Sequence, residues 1–255
     1  MLVLAAATLV VCAPGYPGNT AEAQPAMDAL ARSLARAAHV PEGSLAALYE
    51  ETESGCMRRL AQPESSLLLA TLPFYLVHEQ EVRLVARLSA MPQGSETLER
   101  WTLVTGKDHP PSLEGYTVES SAGYSKRFVR AMAPKLPGRA EIQQTSAVLS
   151  ALKRAANGEK LALLLDGSQA AAMAKLPFAG SLAVLQTSPP MPVALVATVR
   201  KSIDDERWKT LEAAFLRLAE DRAAREALDA VRIAGFLPLD DKALTTARTA
   251  YRRAR

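Results

Sequence analysis

The sequence predicts an α/β fold divided into two lobes. Short apolar, β-branched runs alternate with turns of Gly, Pro, Ser or Asp and with helical patterns, the succession that builds largely parallel sheets covered by helices. A middle block of such units, residues 100–192, is followed by a return strand and C-terminal helices, which suits one discontinuous lobe, 8–99 with 193–255, and a second lobe joined to it by two hinge crossings. With 255 residues, the chain is long enough for two such cores.

Thr8–Ala13 reads as the first strand, and Asn19 or Thr20 caps a helix that aligns Met27, Leu30, Leu34 and Ala38 on one face. Strands are expected at 44–49 and 66–71 around a short helix at 54–60. Leu72-Pro73-Phe74-Tyr75 turns the chain after the second of these. An apolar strand at 82–88 and the loop Pro92-Gln93-Gly94-Ser95 lead to a strand at 100–105. The middle block continues with strands at 116–119, 141–144, 161–165 and 182–186 and helices at 121–132 and 147–156. A strand at 193–199 follows, and the rest reads as helical over 204–219 and 221–231, with Trp208, Leu211, Phe215 and Leu218 at core spacing.

Composition narrows the function. Thirty basic and 27 acidic residues balance to +3, with no basic stripe of the kind that marks a nucleic-acid partner. The closing Tyr251-Arg252-Arg253-Ala254-Arg255 reads as a solvated helix end whose cations suit the helix dipole. No Cys/His spacing resembles a metal site, no Gly-rich dinucleotide turn is present, and no nucleophile stands beside a motif histidine. His39, His78 and His109 fall at expected helix ends or loops, where surface placement is the default. The chain therefore reads as a binder without cofactor or metal. An enzyme of the same fold class is the rival reading. Cys12 sits within an apolar run, which favours a buried free thiol over a bridge to Cys56. Residues 1–7 are apolar and end in alanines, as the tail of an export signal does; a first strand beginning at Leu2 is the alternative.

Three stretches carry a family resemblance: 113–118 followed by Ser120-Ser121-Ala122-Gly123-Tyr124; Ser188-Pro189-Pro190-Met191-Pro192 before a strand; and 232–241, where Gly235-Phe236 precedes Asp240-Asp241. Their order and spacing resemble the phosphate, phosphite and phosphonate substrate-binding proteins of ABC transporters. That resemblance implies a type II periplasmic-binding fold, a periplasmic monomer, a small oxyanion ligand held in a cleft between the lobes, and an ABC permease as partner. A membrane sensor is the alternative partner, and a non-binding interaction module the alternative role. Ala122 stands where the family's turn carries Ser or Thr.

Candidate contacts gather at strand-to-helix corners, because ligands of open α/β sheets bind outside the carboxyl ends of strands. Ser120, Ser121, Gly123 and Tyr124 would place hydroxyls and backbone N–H groups at a helix start, an anion site or else an ordinary cap. Tyr16, Thr20, Thr71 and Tyr75 would supply aromatic walls and hydroxyls from two further corners. Asp166 ends the strand 161–165, where it either accepts hydrogen bonds from a protonated phosphonate or an amine, or caps the next helix.

Overall fold

The computed structural model describes residues 7–16 and 19–254. Two compact units emerge, one of Met1–Thr97 with Pro192–Asp240, the other of Leu98–Met191 with Asp241–Arg255.

In the first stretch of chain, β1 (Ala7–Cys12) leads to α1 (Thr20–Ala37), β2 (Leu45–Glu50), α2 (Glu53–Leu60), β3 (Ser65–Thr71), α3 (Leu72–His78) and β4 (Leu84–Pro92). Polar caps set the helix starts. Asn19 Oδ1 accepts from Glu22 N at 2.8 Å, and Thr52 Oγ1 accepts from Gly55 N at 3.0 Å. The expected strand at 82–88 begins later and runs to Pro92, because a turn over 79–83, with Arg83 at φ 56°, precedes it. Ala7, expected to leave with an export signal, pairs in register with Leu45, whereas residues 1–6 lie outside the described residues.

The chain then runs through β5 (Leu98–Glu99), β6 (Thr102–Gly106), β7 (Thr117–Ser120), α4 (Lys126–Met132), β8 (Glu141–Gln144), α5 (Val148–Ala156), β9 (Leu161–Leu165), α6 (Gly167–Met173) and β10 (Leu182–Thr187). The last stretch holds β11 (Met191–Pro192), β12 (Ala194–Val199), α7 (Asp205–Arg217), α8 (Arg222–Ala230), β13 (Ile233–Pro238) and α9 (Asp241–Arg253). Two expectations change here. Residues after 231 are not all helical: Ile233–Pro238 pairs antiparallel with β4 at the edge of its sheet, a place that tolerates Pro238 without a backbone donor. The C-terminal helix packs on α4 in the second unit instead of joining 193–240, which adds a third passage of the chain between units, at 240/241.

Each unit is built on one sheet. The first has strand order β13-β4-β12-β3-β1-β2, the second β10-β6-β9-β7-β8. In both, three neighbouring strands run parallel, β2-β1-β3 and β8-β7-β9, and antiparallel strands extend one side. The sheets are thus mixed, where the sequence pattern suggested largely parallel ones. Reversed strands are equally apolar when both faces are covered, so pattern alone does not reveal direction.

The first core places Met27, Leu30 and Leu34 of α1 and Trp208, Leu211 and Phe215 of α7 against the sheet, with Phe215 edge-on to Phe236 at 4.8 Å. In the second, Ala151, Leu152 and Ala155 of α5 cover Val104, Leu161, Leu163 and Leu165. Cys12 at the end of β1 is joined to Cys56 of α2 by a disulfide, with Cα atoms 5.8 Å apart, so the expected free thiol is absent. The apolar run correctly foretold burial; it said nothing of the helix that brings Cys56 alongside. His78 also departs from surface placement, buried between Glu53 at 2.9 Å and Glu81 at 3.3 Å.

Candidate ligand-binding site

In the second unit the parallel strands β8, β7 and β9 end at one edge of the sheet, and the corners that follow carry most of the candidate residues. Ser120 closes β7. Its hydroxyl donates to Leu164 O at 2.8 Å and accepts from Ala122 N at 3.2 Å, stitching the turn to the neighbouring strand. Gly123 N donates to Ser120 O at 3.0 Å, Thr145 N to the same oxygen at 3.0 Å, and Ser125 N to Ala122 O at 3.0 Å. Gly123 is required by close approach: a Cβ there would overlap the Gln143 carbonyl and Gln144 Cα. Tyr124 is half-buried.

The helix expected from Ser121 starts only at Lys126, and its cap is Ser125, whose Oγ accepts from Phe128 N at 3.2 Å. Neither Ser120 nor Ser121 caps it. Ser121 is fully buried, 0% exposed, and its hydroxyl has no hydrogen-bond partner among the described residues. A buried, unsatisfied hydroxyl costs about 1–3 kcal/mol, so a group that fills its bonding capacity gains that energy back.

Beyond β9, Asp166 is 2% exposed and accepts from Gln169 N and Ser168 Oγ, both at 2.8 Å, while Gln169 Oε1 accepts from Asp166 N at 3.2 Å. This is a reciprocal capping box on α6, the structural of the two roles expected for Asp166. Sequence reading missed the carboxyl beside it. Glu99 on β5 is 8% exposed, and its Oε2 accepts from Gly167 N at 2.9 Å. Burial, then the Asp166 carboxylate, pushes its pKa up to about 8, against the opposing pull of the Gly167 N–H and the Trp101 side chain. Glu99 is therefore a neutral acid at pH 7. No spacing links the two corners, since Glu99 and Gly167 stand 68 residues apart. Antiparallel pairing of β6 with β9 brings the start of β6 to the same edge, where Ser188 Oγ accepts from Trp101 N at 3.0 Å and Ser188 O from Arg100 Nη1 at 2.9 Å.

The first unit repeats the arrangement at the ends of β1 and β3. Tyr16 and Thr20 are half-buried after β1; Pro17 and Gly18 between them lie outside the described residues. Asn19, not Thr20, caps α1. Thr71 ends β3 at the N-cap position of α3 but makes no capping bond, and its buried Oγ1 has no hydrogen-bond partner among the described residues. Tyr75, expected as an aromatic wall, is 0% exposed within the core, and its hydroxyl donates to Glu79 Oε1 at 2.9 Å.

Residues 142–244 match the family described as ABC transporter, phosphonate, periplasmic substrate-binding protein. That segment of the chain is similar to the phosphonate substrate-binding proteins. The matched segment takes in Asp166 and the Gly235-Phe236 stretch but begins after Ser120–Tyr124. Solved structures of substrate-binding proteins share the α/β fold over nearly the whole chain. A Xanthomonas citri protein bound to chloride is 15% identical with a TM-score of 0.74, covering 98% of both chains. Bound to ATP, that protein aligns at 16% identity and 0.72, again over 98% of both. A binding-protein component of an ABC phosphonate transporter from Pseudomonas aeruginosa is 14% identical, with a TM-score of 0.65 over 96% of this chain and 85% of that one. PhnD1 from Prochlorococcus marinus, in complex with methylphosphonate, is 10% identical at 0.59 over 96% and 97%. No curated protein matches the sequence. The matched family is the periplasmic substrate-binding component of ABC phosphonate transporters.

Proposed function

We propose that this protein is the solute-binding component of an ABC transporter and takes a small phosphonate- or phosphate-like oxyanion, presenting it to a permease outside the cytoplasm. The Ser121 hydroxyl carries the reading: it is fully buried, unpartnered among the described residues, and sits on the turn that leaves β7. Oxyanion oxygens accept from hydroxyls, and hydrogen bonds to a charged group are worth about twice those to neutral ones. Thr71 is the counterpart in the first unit, an unbonded hydroxyl at the end of β3. Tyr124 is the flanking contact beside Ser121, and Ser120, Gly123 and Asp166 hold the corners of the second unit in shape; in the first unit Tyr16 and Thr20 stand at the corner after β1. Two of the structurally similar proteins are seen with anions, one with chloride and with ATP, the other with methylphosphonate. The Cys12–Cys56 disulfide fits an oxidising compartment such as the periplasm.

Thermal-shift and calorimetric titration with phosphate, phosphite and methylphosphonate tests the proposal. At least one of them raises Tm in a concentration-dependent way, since a ligand of the native state alone stabilises by about 2.7 kcal/mol at a hundred times its Kd. Absence of any shift across the three anions overturns it.

A further inference from the structure

We infer that the C-terminal helix α9 holds the Ser121 turn in its binding shape through Arg127, which makes Arg127 a positioning residue and not a ligand contact. The inference rests on reading that turn as the ligand contact. Arg127 is the second residue of α4, two places after the Ser125 cap and at the exit of the turn. Its guanidinium is committed elsewhere: Nε donates to Tyr251 O at 2.9 Å and Ala254 O at 3.2 Å, Nη2 donates to Arg252 O at 3.0 Å, and the group lies 4.7 Å over the Tyr251 ring. The last carbonyls of a helix have no partners within it, so Arg127 caps α9 from outside. The C-terminal arginines 252 and 253 are exposed.

Why this reaches the turn follows from the length of α4. Seven residues make about two turns, too short to hold their own position, so tertiary anchors decide where the helix stands. Three are present. Phe128 packs edge-on against Trp101 at 4.9 Å; Arg130 donates to Pro137 O and Gly138 O at 3.1 and 2.9 Å; Arg127 grips α9. The first anchors the inner face, the second the far end of α4, and the third holds the first turn two residues after the cap. A shift there moves Ser125, whose amide is bonded to Ala122 O within the turn.

Hydrogen exchange and calorimetric titration with methylphosphonate, on the wild type, Arg127→Ala and Arg127→Lys, separate the possibilities. Arg127→Ala is expected to speed exchange at Ala122, Gly123 and Ser125 as well as at 251–254, and to weaken methylphosphonate binding about tenfold. Arg127→Lys restores part of both, because an ammonium reaches a carbonyl but lacks the planar fork. Faster exchange confined to 251–254, with affinity unchanged, overturns the inference. A wild type that binds none of the anions, together with faster exchange in the turn of Arg127→Ala, refutes the proposed function and leaves the link between α9 and the turn standing.

Discussion

Ser121 holds a hydroxyl in the interior with nothing among the described residues to bond it, a cost that the unliganded protein carries. Ser121→Ala is expected to leave the unliganded protein as stable as before, or more stable by up to about 1 kcal/mol, and to weaken anion binding roughly tenfold or more. Opposite signs in the two measurements, denaturant unfolding and calorimetric titration, mark a ligand donor; a loss in both marks a packing residue. Glu99 makes a second residue-level expectation. Its pKa is raised from 4.5 to about 8, so the native state holds a proton that the unfolded chain releases between those values. Stability from this group is complete below about 4.5 and falls as pH rises toward 8, by a few kcal/mol at most. Glu99→Gln removes that slope, which denaturation midpoints of both proteins across the interval will show; parallel slopes refute the assignment. Both residues lay in the sequence as ordinary letters. Ser121 was legible as part of a serine-rich turn, whereas Glu99 depends on a strand pairing that no local pattern encodes.

At the scale of elements, the corner after β7 is shaped by one glycine and one serine. Gly123 lets the turn lie against Gln143 and Gln144 of β8, and Ser120 ties it to β9. Gly123→Ala forces the turn away from β8, with an expected loss of about 1–3 kcal/mol and weakened anion binding; unfolding midpoints and titration together measure it. An unchanged midpoint would show that β8 yields to the methyl group. The helix after this turn was expected five residues too early because Ser121 and the small residues behind it suit a helix start as well as a turn. Tertiary competition decided the matter: the turn amides of Ala122 and Gly123 find Ser120, leaving Ser125 to cap α4.

Across the whole molecule, a covalent tie closes a loop within the first unit and three chain passages link it to the second. The Cys12–Cys56 bridge spans a sequence separation of 44 residues, and restricting so long a loop in the unfolded chain is worth about 4 kcal/mol in the chain-entropy account. Reduction, or the Cys12→Ser and Cys56→Ser pair, is expected to lower the unfolding free energy by up to that amount. Thiol titration of the denatured, unreduced protein should find none reactive, and two after reduction. Two reactive thiols before reduction would remove both the bridge and its support for an oxidising compartment. The third passage, into α9, hands the second unit a helix made from the end of the chain, so truncation there reaches a unit whose other elements lie in 98–191.

By itself the sequence determined the α/β class, the position of most strands and helices, and a family likeness, because apolar period, caps and turn residues are local and survive in any packing. Strands 141–144 and 161–165 are bounded as their pattern foretold. Only tertiary structure decided the antiparallel half of each sheet, the disulfide, the attachment of α9 and the acid pair of Glu99 with Asp166. Each of these joins residues distant in the chain, and their energies come from burial, pairing and desolvation that exist only once the distant parts meet.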